Sequence, residues 1–255
     1  SLAASNSSRK RLFNMQPTKK LVLFDIDGTL IRHFGPKSTT NVGWYRFTHA
    51  LNQIFHINVI PDPKLNYYGS VDRAILFDIA SKYGVTKTQF DEKFNEVKAA
   101  VIDYAKTHET KQIYEAIPAA VKLLNRIHAN RERFYLGVFT GNVEKMAYWK
   151  LSHVGIDPTL FSLFVTSDEF EDRISLAKSV FAKVEKEARI VVLPQDIYVI
   201  GDAVGDVRCA HAIGATSIIA TTGRHQKDEL LKEKPALLVD SLMDERVFTL
   251  LGLKK

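Results

Sequence analysis

One cysteine, Cys209, stands in a chain of 255 residues, so no intrachain disulfide can form and a reducing compartment fits. Long apolar runs are missing too. None reaches the roughly 18 residues of a membrane-spanning helix, so no membrane partner is expected. Acids are missing from residues 1–14, which are rich in Ser, Arg and Asn and lack the apolar stretch of a secretory signal. They read either as a piece of an organellar presequence or, as the preferred reading, as an expression scar ahead of Met15. Residues 1–17 are therefore set aside as a tail. A cytoplasmic location is expected, or an organellar one if those residues are native. Low-complexity segments and internal repeats are absent as well.

What is present is ordinary for a folded protein. Hydrophobic residues make up 45% of the chain, enough to build a core and to exclude general disorder. Lys and Arg number 35 against 29 Asp and Glu, a net charge of +6. Arg9, Lys10 and Arg11 supply three of those charges. The remainder is a mild excess that suits an anionic substrate. Basic and aromatic residues are not interleaved, so nucleic acid is not an expected partner.

Short apolar runs recur and end in polar turns. Residues 21–24 run into Asp25-Ile26-Asp27-Gly28-Thr29-Leu30. Residues 134–139 end at Thr140-Gly141-Asn142. Residues 163–166 end at Ser167-Asp168. Residues 197–200 end at Gly201-Asp202. Residues 217–220 and 237–239 close the series. Continuous apolar strands of this kind suit a parallel sheet covered on both faces. Helical patterns lie between them, at 118–127, 143–154, 174–187 and 206–213. Alternating strand and helix predicts an α/β layered core. In such sheets ligands bind beyond the C-terminal strand ends. Asp25, Asp27, Thr140, Asp202 and Asp206 all fall there.

Residues 34–115 read differently. No convincing strand occurs, and apolar residues fall at helical spacing. Trp44, Phe47, Leu51 and Ile54 form one stripe. Ile75, Ile79 and Tyr83 form a second, and Phe90, Phe94, Val97 and Val101 a third. Core packing is the expected use of all three. The stretch reads as a small helical domain inserted between 18–33 and 116–255.

Asp25 and Asp27 are two apart in a strand, so both can point the same way, and the turn at Gly28 lets them converge. Close carboxylates repel unless a cation or a proton intervenes. A hard divalent ion such as Mg²⁺ fits oxygen ligands. Asp202 and Asp206, delivered by a second strand end, can complete its shell, although Asp206 could equally be a helix-start acid. Thr140, Gly141 and Asn142 precede a helix whose free N–H groups can bind phosphate. Thr140 or Asn142 could also serve as its N-cap.

FDIDGTL at 24–30, FTGN at 139–142 and VIGDAVGD at 199–206 resemble motifs one, two and four of the haloacid dehalogenase superfamily. The resemblance runs from about residue 19 to the end. It implies a Rossmann-like three-layer sheet with an inserted all-helical cap. It also implies that Asp25 attacks phosphorus and forms an aspartyl-phosphate, while Asp27 protonates the leaving alcohol and then activates water. By the same resemblance Mg²⁺ is held by Asp25, the backbone carbonyl of Asp27 and Asp202, with Asp206 in support. Thr140, Gly141 and Asn142 are placed at the phosphate. Motif three requires a cation, and Arg173, behind the acidic loop 168–172, is preferred over Lys178 and Lys183.

The acid at 27 favours phosphate-ester chemistry over dehalogenation. Residues 68–76, Tyr68-Gly69-Ser70-Val71-Asp72-Arg73-Ala74-Ile75-Leu76, resemble the cap loop of phosphoglycolate-phosphatase-like members, a branch akin to the beta-phosphoglucomutases. Val71 departs from the usual Thr. Asp72 is expected as the N-cap of a helix over 73–83. His33, Phe34 and Lys37 are candidate lid contacts. The expectation is thus a Mg²⁺-dependent phosphatase of a small phosphorylated metabolite such as phosphoglycolate, acting as monomer or homodimer. A sugar-phosphate mutase using the same aspartates is the alternative, and a silent binding protein a more distant one.

Overall fold

The computed structural model describes residues 19–33, 42–60, 67, 69–109 and 113–254. The tail at 1–17, Phe34, Lys37 and Tyr68 lie outside the described residues. Among the described residues no helix is long and apolar enough to cross a membrane.

In chain order the strands are β1 (Lys20–Phe24), β2 (Ile31–His33), β3 (Tyr114–Ala116), β4 (Phe134–Phe139), β5 (Leu163–Val165), β6 (Ile197–Gly201), β7 (Thr216–Ala220) and β8 (Leu237–Val239). The helices are α1 (Val42–Phe55), α2 (Asp72–Ser81), α3 (Lys87–His108), α4 (Pro118–His128), α5 (Glu144–His153), α6 (Arg173–Lys178), α7 (Val180–Lys183), α8 (Val204–Ala212), α9 (Lys227–Lys232) and α10 (Glu245–Leu251).

Six strands form one parallel sheet in the order β5-β4-β1-β6-β7-β8. Its strands bury both faces, because successive side chains alternate. Val22, Phe24, Leu136, Val138 and Ile200 pack under α4, α5 and α10. Leu21, Leu23, Ile197 and Val199 pack under α6, α7 and α8. This is the expected three-layer core. β1 lies between β4 and β6, where the connections diverge to opposite sides of the sheet. A crevice opens at such a switch point, beyond the C-terminal end of β1.

β2 and β3 pair antiparallel beside the sheet, Ile31 opposite Ala116 and His33 opposite Tyr114. A strand therefore occurs inside the stretch expected to be wholly helical. Three residues are too few to show a period of two. Between β2 and β3 lie α1, α2 and α3, with their own apolar cluster of Phe47, Leu51, Leu76, Phe90, Phe94 and Val97. Two of the three stripes pack as expected. The second ends early: Tyr83 lies beyond α2, is exposed, and accepts a hydrogen bond from the Ile60 N–H at 3.1 Å. The helix expected over 174–187 is broken into α6, α7 and a π turn at Val184–Ala188.

Candidate active site

The site is built from three strand ends and the start of α5. Asp25 follows β1, and its N–H donates to the Ile200 carbonyl at 2.9 Å. That bond extends the β1–β6 ladder by one residue and fixes where the carboxylate emerges. Asp202 and Asp206 follow β6. Asp25, Asp202 and Asp206 are all buried, and each offers a carboxylate oxygen within 4.8 Å of the others. Thr29 donates to Asp202 at 3.0 Å. Asp206 accepts from the Asp202 and Ala203 N–H groups at 3.1 and 3.0 Å. Asp206 thus serves the start of α8, as expected of a helix-start acid, and it also lies in the acid cluster. Gly28 turns the chain with φ +94°, and a Cβ there would collide with the Asp202 carboxylate.

Arg173, at the start of α6, is a cation that reaches Asp25 and Asp206. It pairs with Asp206 and lies 3.7 Å from Asp25. Lys178 is exposed, and Lys183 donates to the Phe164 carbonyl at 2.7 Å. One guanidinium does not balance three buried carboxylates. Burial, and then the charge of Asp206, push the Asp25 carboxyl well above its ordinary range, with Arg173 acting the other way. A cluster of hard oxygen donors with excess negative charge fits a divalent cation.

Asp27 does not converge on that cluster. Its carboxylate turns to Lys150, which is buried in α5, and both oxygens lie 2.7 Å from the ammonium. Asn142 donates to it as well, at 2.7 Å. Burial raises the Asp27 carboxyl, but the Lys150 charge and the Asn142 bond outweigh it, with Arg46 adding to them. The net shift is downward. Two acids separated by one residue thus sit in opposite environments.

Asn142 was expected at the phosphate, yet its amide is committed inside the protein. It donates to Asp27 and to Thr140 Oγ1 at 2.8 Å, and accepts from Lys150 at 2.8 Å. Thr140 is buried and accepts from Asn142, leaving its own hydrogen to donate. Neither residue caps α5. Val143 donates instead to Asp72 at 3.1 Å and Glu144 to Asp168 at 2.7 Å. Asp72 is accordingly not the cap of its own helix, whose start at Val71 has no side-chain cap. It reaches from α2 to the N-terminus of α5, 71 residues along the chain. Burial pushes its carboxyl up to about 6, against Arg46 and Lys150.

The loop before α2 lies directly on the loop after β4. The Asp72 N–H donates to the Gly141 carbonyl at 2.7 Å. A Cβ at Gly141 would collide with the Ser70 carbonyl oxygen. The acidic loop 168–172 holds the same seam. Lys98 pairs with Asp168 at 2.8 Å, Arg73 donates to the Asp168 carbonyl at 2.9 Å, and Lys87 pairs with Glu171 at 2.7 Å. On the other side Arg46 of α1 is buried against Glu109, at 3.0 Å, and Tyr114, at 3.1 Å. His33 stands edge-on to the Tyr114 ring at 5.6 Å.

Sequence reasoning missed Lys150 and Arg46. For Lys150 a signal existed: it falls on the buried stripe of Met146, Ala147 and Leu151. A lysine at a core position of a helix is almost never left without a partner.

A comparison with curated proteins returns no match. Solved structures are similar in fold. A predicted phosphoglycolate phosphatase from Haemophilus somnus has 19% identity and TM-score 0.62, covering 92% of this chain and 100% of its own. A predicted phosphatase from Clostridium acetobutylicum has 22% identity and TM-score 0.61, covering 92% and 100%. CbbY from Rhodobacter sphaeroides, solved in complex with phosphate, has 15% identity and TM-score 0.63, covering 89% and 96%. A family model described as haloacid dehalogenase-like hydrolase matches residues 19–214. That span holds every acid of the two clusters, along with Arg173 and Lys150, and by it the chain belongs to the haloacid dehalogenase-like hydrolases.

Proposed function

We propose that the chain is a Mg²⁺-dependent phosphatase that hydrolyses a small phosphate monoester, such as phosphoglycolate, through an aspartyl-phosphate on Asp25. The observation that carries this reading is the divergence of Asp25 and Asp27. One carboxylate sits among acids, where a cation would bind. The other is held by the Lys150 ammonium and the Asn142 amide and is nearly half exposed, open to substrate or water.

In this reading Asp25 attacks phosphorus in line and the ester oxygen departs with a proton from Asp27. Water then attacks the acyl phosphate, gives its proton to Asp27, and Asp25 is regenerated. The Thr140 hydroxyl, the Gly141 N–H and the Arg173 guanidinium hold the phosphoryl oxygens. Asp25, Asp202 and the Asp27 carbonyl would hold Mg²⁺, with Asp206 supporting them. When bound, the ion supplies charge compensation for nucleophile and phosphoryl group. Residues 34–115 act as a cap that excludes water and selects the substrate. The phosphatases and the phosphate-bound CbbY among the similar folds support a phosphorylated substrate.

The test is a panel of phosphorylated metabolites scored for inorganic phosphate, with Mg²⁺ and with a chelator. Release that requires Mg²⁺ is expected, with small two- and three-carbon monoesters among the best substrates. Isomerised sugar phosphate with almost no free phosphate would identify a mutase and overturn the hydrolase reading.

A further inference from the structure

Lys150 is the buried charge nearest the reacting groups that the mechanism above leaves without a task. Its side chain is 3% exposed. Its three N–H groups have three acceptors: both oxygens of Asp27 at 2.7 Å and Asn142 Oδ1 at 2.8 Å. The ammonium is therefore saturated and free to bind nothing else.

The consequence falls on Asp27. An ionised carboxylate has about four acceptor positions. Lys150 occupies two and Asn142 a third. About one remains, on a side chain that is 47% exposed. Asp27 is gripped along one edge and open along the other. The grip comes from α5 and the loop before it, the same segment that carries Thr140 and Gly141. That segment is fixed in turn by Asp72 on Val143 and Asp168 on Glu144. The open position of Asp27 and the Thr140–Gly141 loop are thus held in one rigid frame.

We infer that Lys150 is a positioning residue which aims the one open acceptor of Asp27 at the water that hydrolyses the phosphoenzyme. In that step the water oxygen bonds to phosphorus, the bond from phosphorus to the Asp25 oxygen breaks, and the electron pair returns to Asp25. The water proton passes to Asp27. A base that wanders slows this second half-reaction. It leaves the first untouched when the leaving group needs no proton.

The inference rests on the phosphatase reading, and one set of measurements separates the two. The probe is p-nitrophenyl phosphate with Mg²⁺, whose leaving group departs unprotonated. Lys150→Met should lower kcat about 30-fold, within the range of general-base contributions. KM should fall in parallel, so that kcat/KM stays within about threefold. A burst of nitrophenol of about one equivalent should appear as phosphoenzyme accumulates. Lys150→Arg should recover part of kcat. Should Lys150→Met fail to fold, Lys150→Gln keeps a donor but withdraws it from Asp27, and is read the same way. Equal losses of kcat and kcat/KM without a burst would make Lys150 merely structural and overturn the inference. So would an unchanged or faster kcat, because Lys150 would then be restraining Asp27. If the parent releases no phosphate, or Asp25→Asn releases as much as the parent, the phosphatase reading fails and this role with it.

Discussion

Asp25 and Asp27 are separated by one residue and by almost everything else. Asp25 is buried with Asp202 and Asp206 and shares the Arg173 guanidinium with Asp206. Asp27 is half-exposed and held by Lys150 and Asn142. The first carboxyl is pushed up by burial and like charge. The partial desolvation of the second is outweighed by the ammonium and the Asn142 amide, which draw it down. One strand end thus makes two acids of different character, and such pairs divide catalytic labour. The acid-rich side calls for a cation from outside. On the other side the Asp27 carboxylate finds its partners within the chain, in Lys150 and Asn142.

Four substitutions would break or sharpen this contrast. The largest effect is expected for Asp25→Asn, which removes the proposed nucleophile and should cut phosphate release by more than about a thousandfold. Residual turnover equal to the parent would assign the chemistry elsewhere. Arg173→Met comes next, because it removes the guanidinium that pairs with Asp206 and lies 3.7 Å from Asp25 within a cluster of three buried carboxylates. In a chelator, urea unfolding should show a loss of about 3 kcal/mol. Mg²⁺ should recover more stability in the variant than in the parent, and equal recovery in both would contradict a shared site for arginine and ion.

Gly141→Ala tests the seam between the two loops. Its methyl group meets the Ser70 carbonyl, so the loop before α2 must lift. Activity should fall about 30-fold with the circular dichroism spectrum unchanged, since small displacements around a reacting centre are costly. Unaltered activity would mean that this contact does not matter to turnover. The smallest effect is expected for Asp72→Asn. Asp72 is pushed up to about 6 by burial, so the folded state holds a proton that the unfolded state has released. Stability from this group is full below roughly pH 4 and is lost as pH rises through about 6, at no more than roughly 1.4 kcal/mol per pH unit. The variant should lack that decline. A parent whose stability rises across the window, with the variant following it, would contradict the assigned shift.

The acid-rich side is legible in the sequence because each part is local. Asp25 and Asp202 end apolar strands, Asp206 opens the next helix, and Arg173 stands behind an acidic loop. The sheet is legible for the same reason: short, wholly apolar runs with turn residues behind them admit few other uses. The Asp27 side depends on contacts between distant parts of the chain. Lys150 meets Asp27 across 123 residues and Asp72 meets Val143 across 71. No local pattern specifies such pairs. Asp72 before a helix reads as that helix's own cap, and only the fold reveals that it caps another. Asn142 at the end of an apolar strand reads as a phosphate ligand, and nothing local announces that its amide also bridges Lys150 and Asp27. The strand Tyr114–Ala116 is hidden by its length rather than by its composition.

The central claim is that Asp25 takes the phosphoryl group while Asp27 does not. Acid quenching during turnover of a phosphate ester, followed by peptide mass spectrometry, tests it directly. One phosphoryl group is expected on the peptide containing Asp25, localised to that residue. It should persist in Asp27→Asn and be absent from Asp25→Asn. Phosphate on any other residue, or turnover with no phosphorylated peptide in either the parent or Asp27→Asn, would contradict the account.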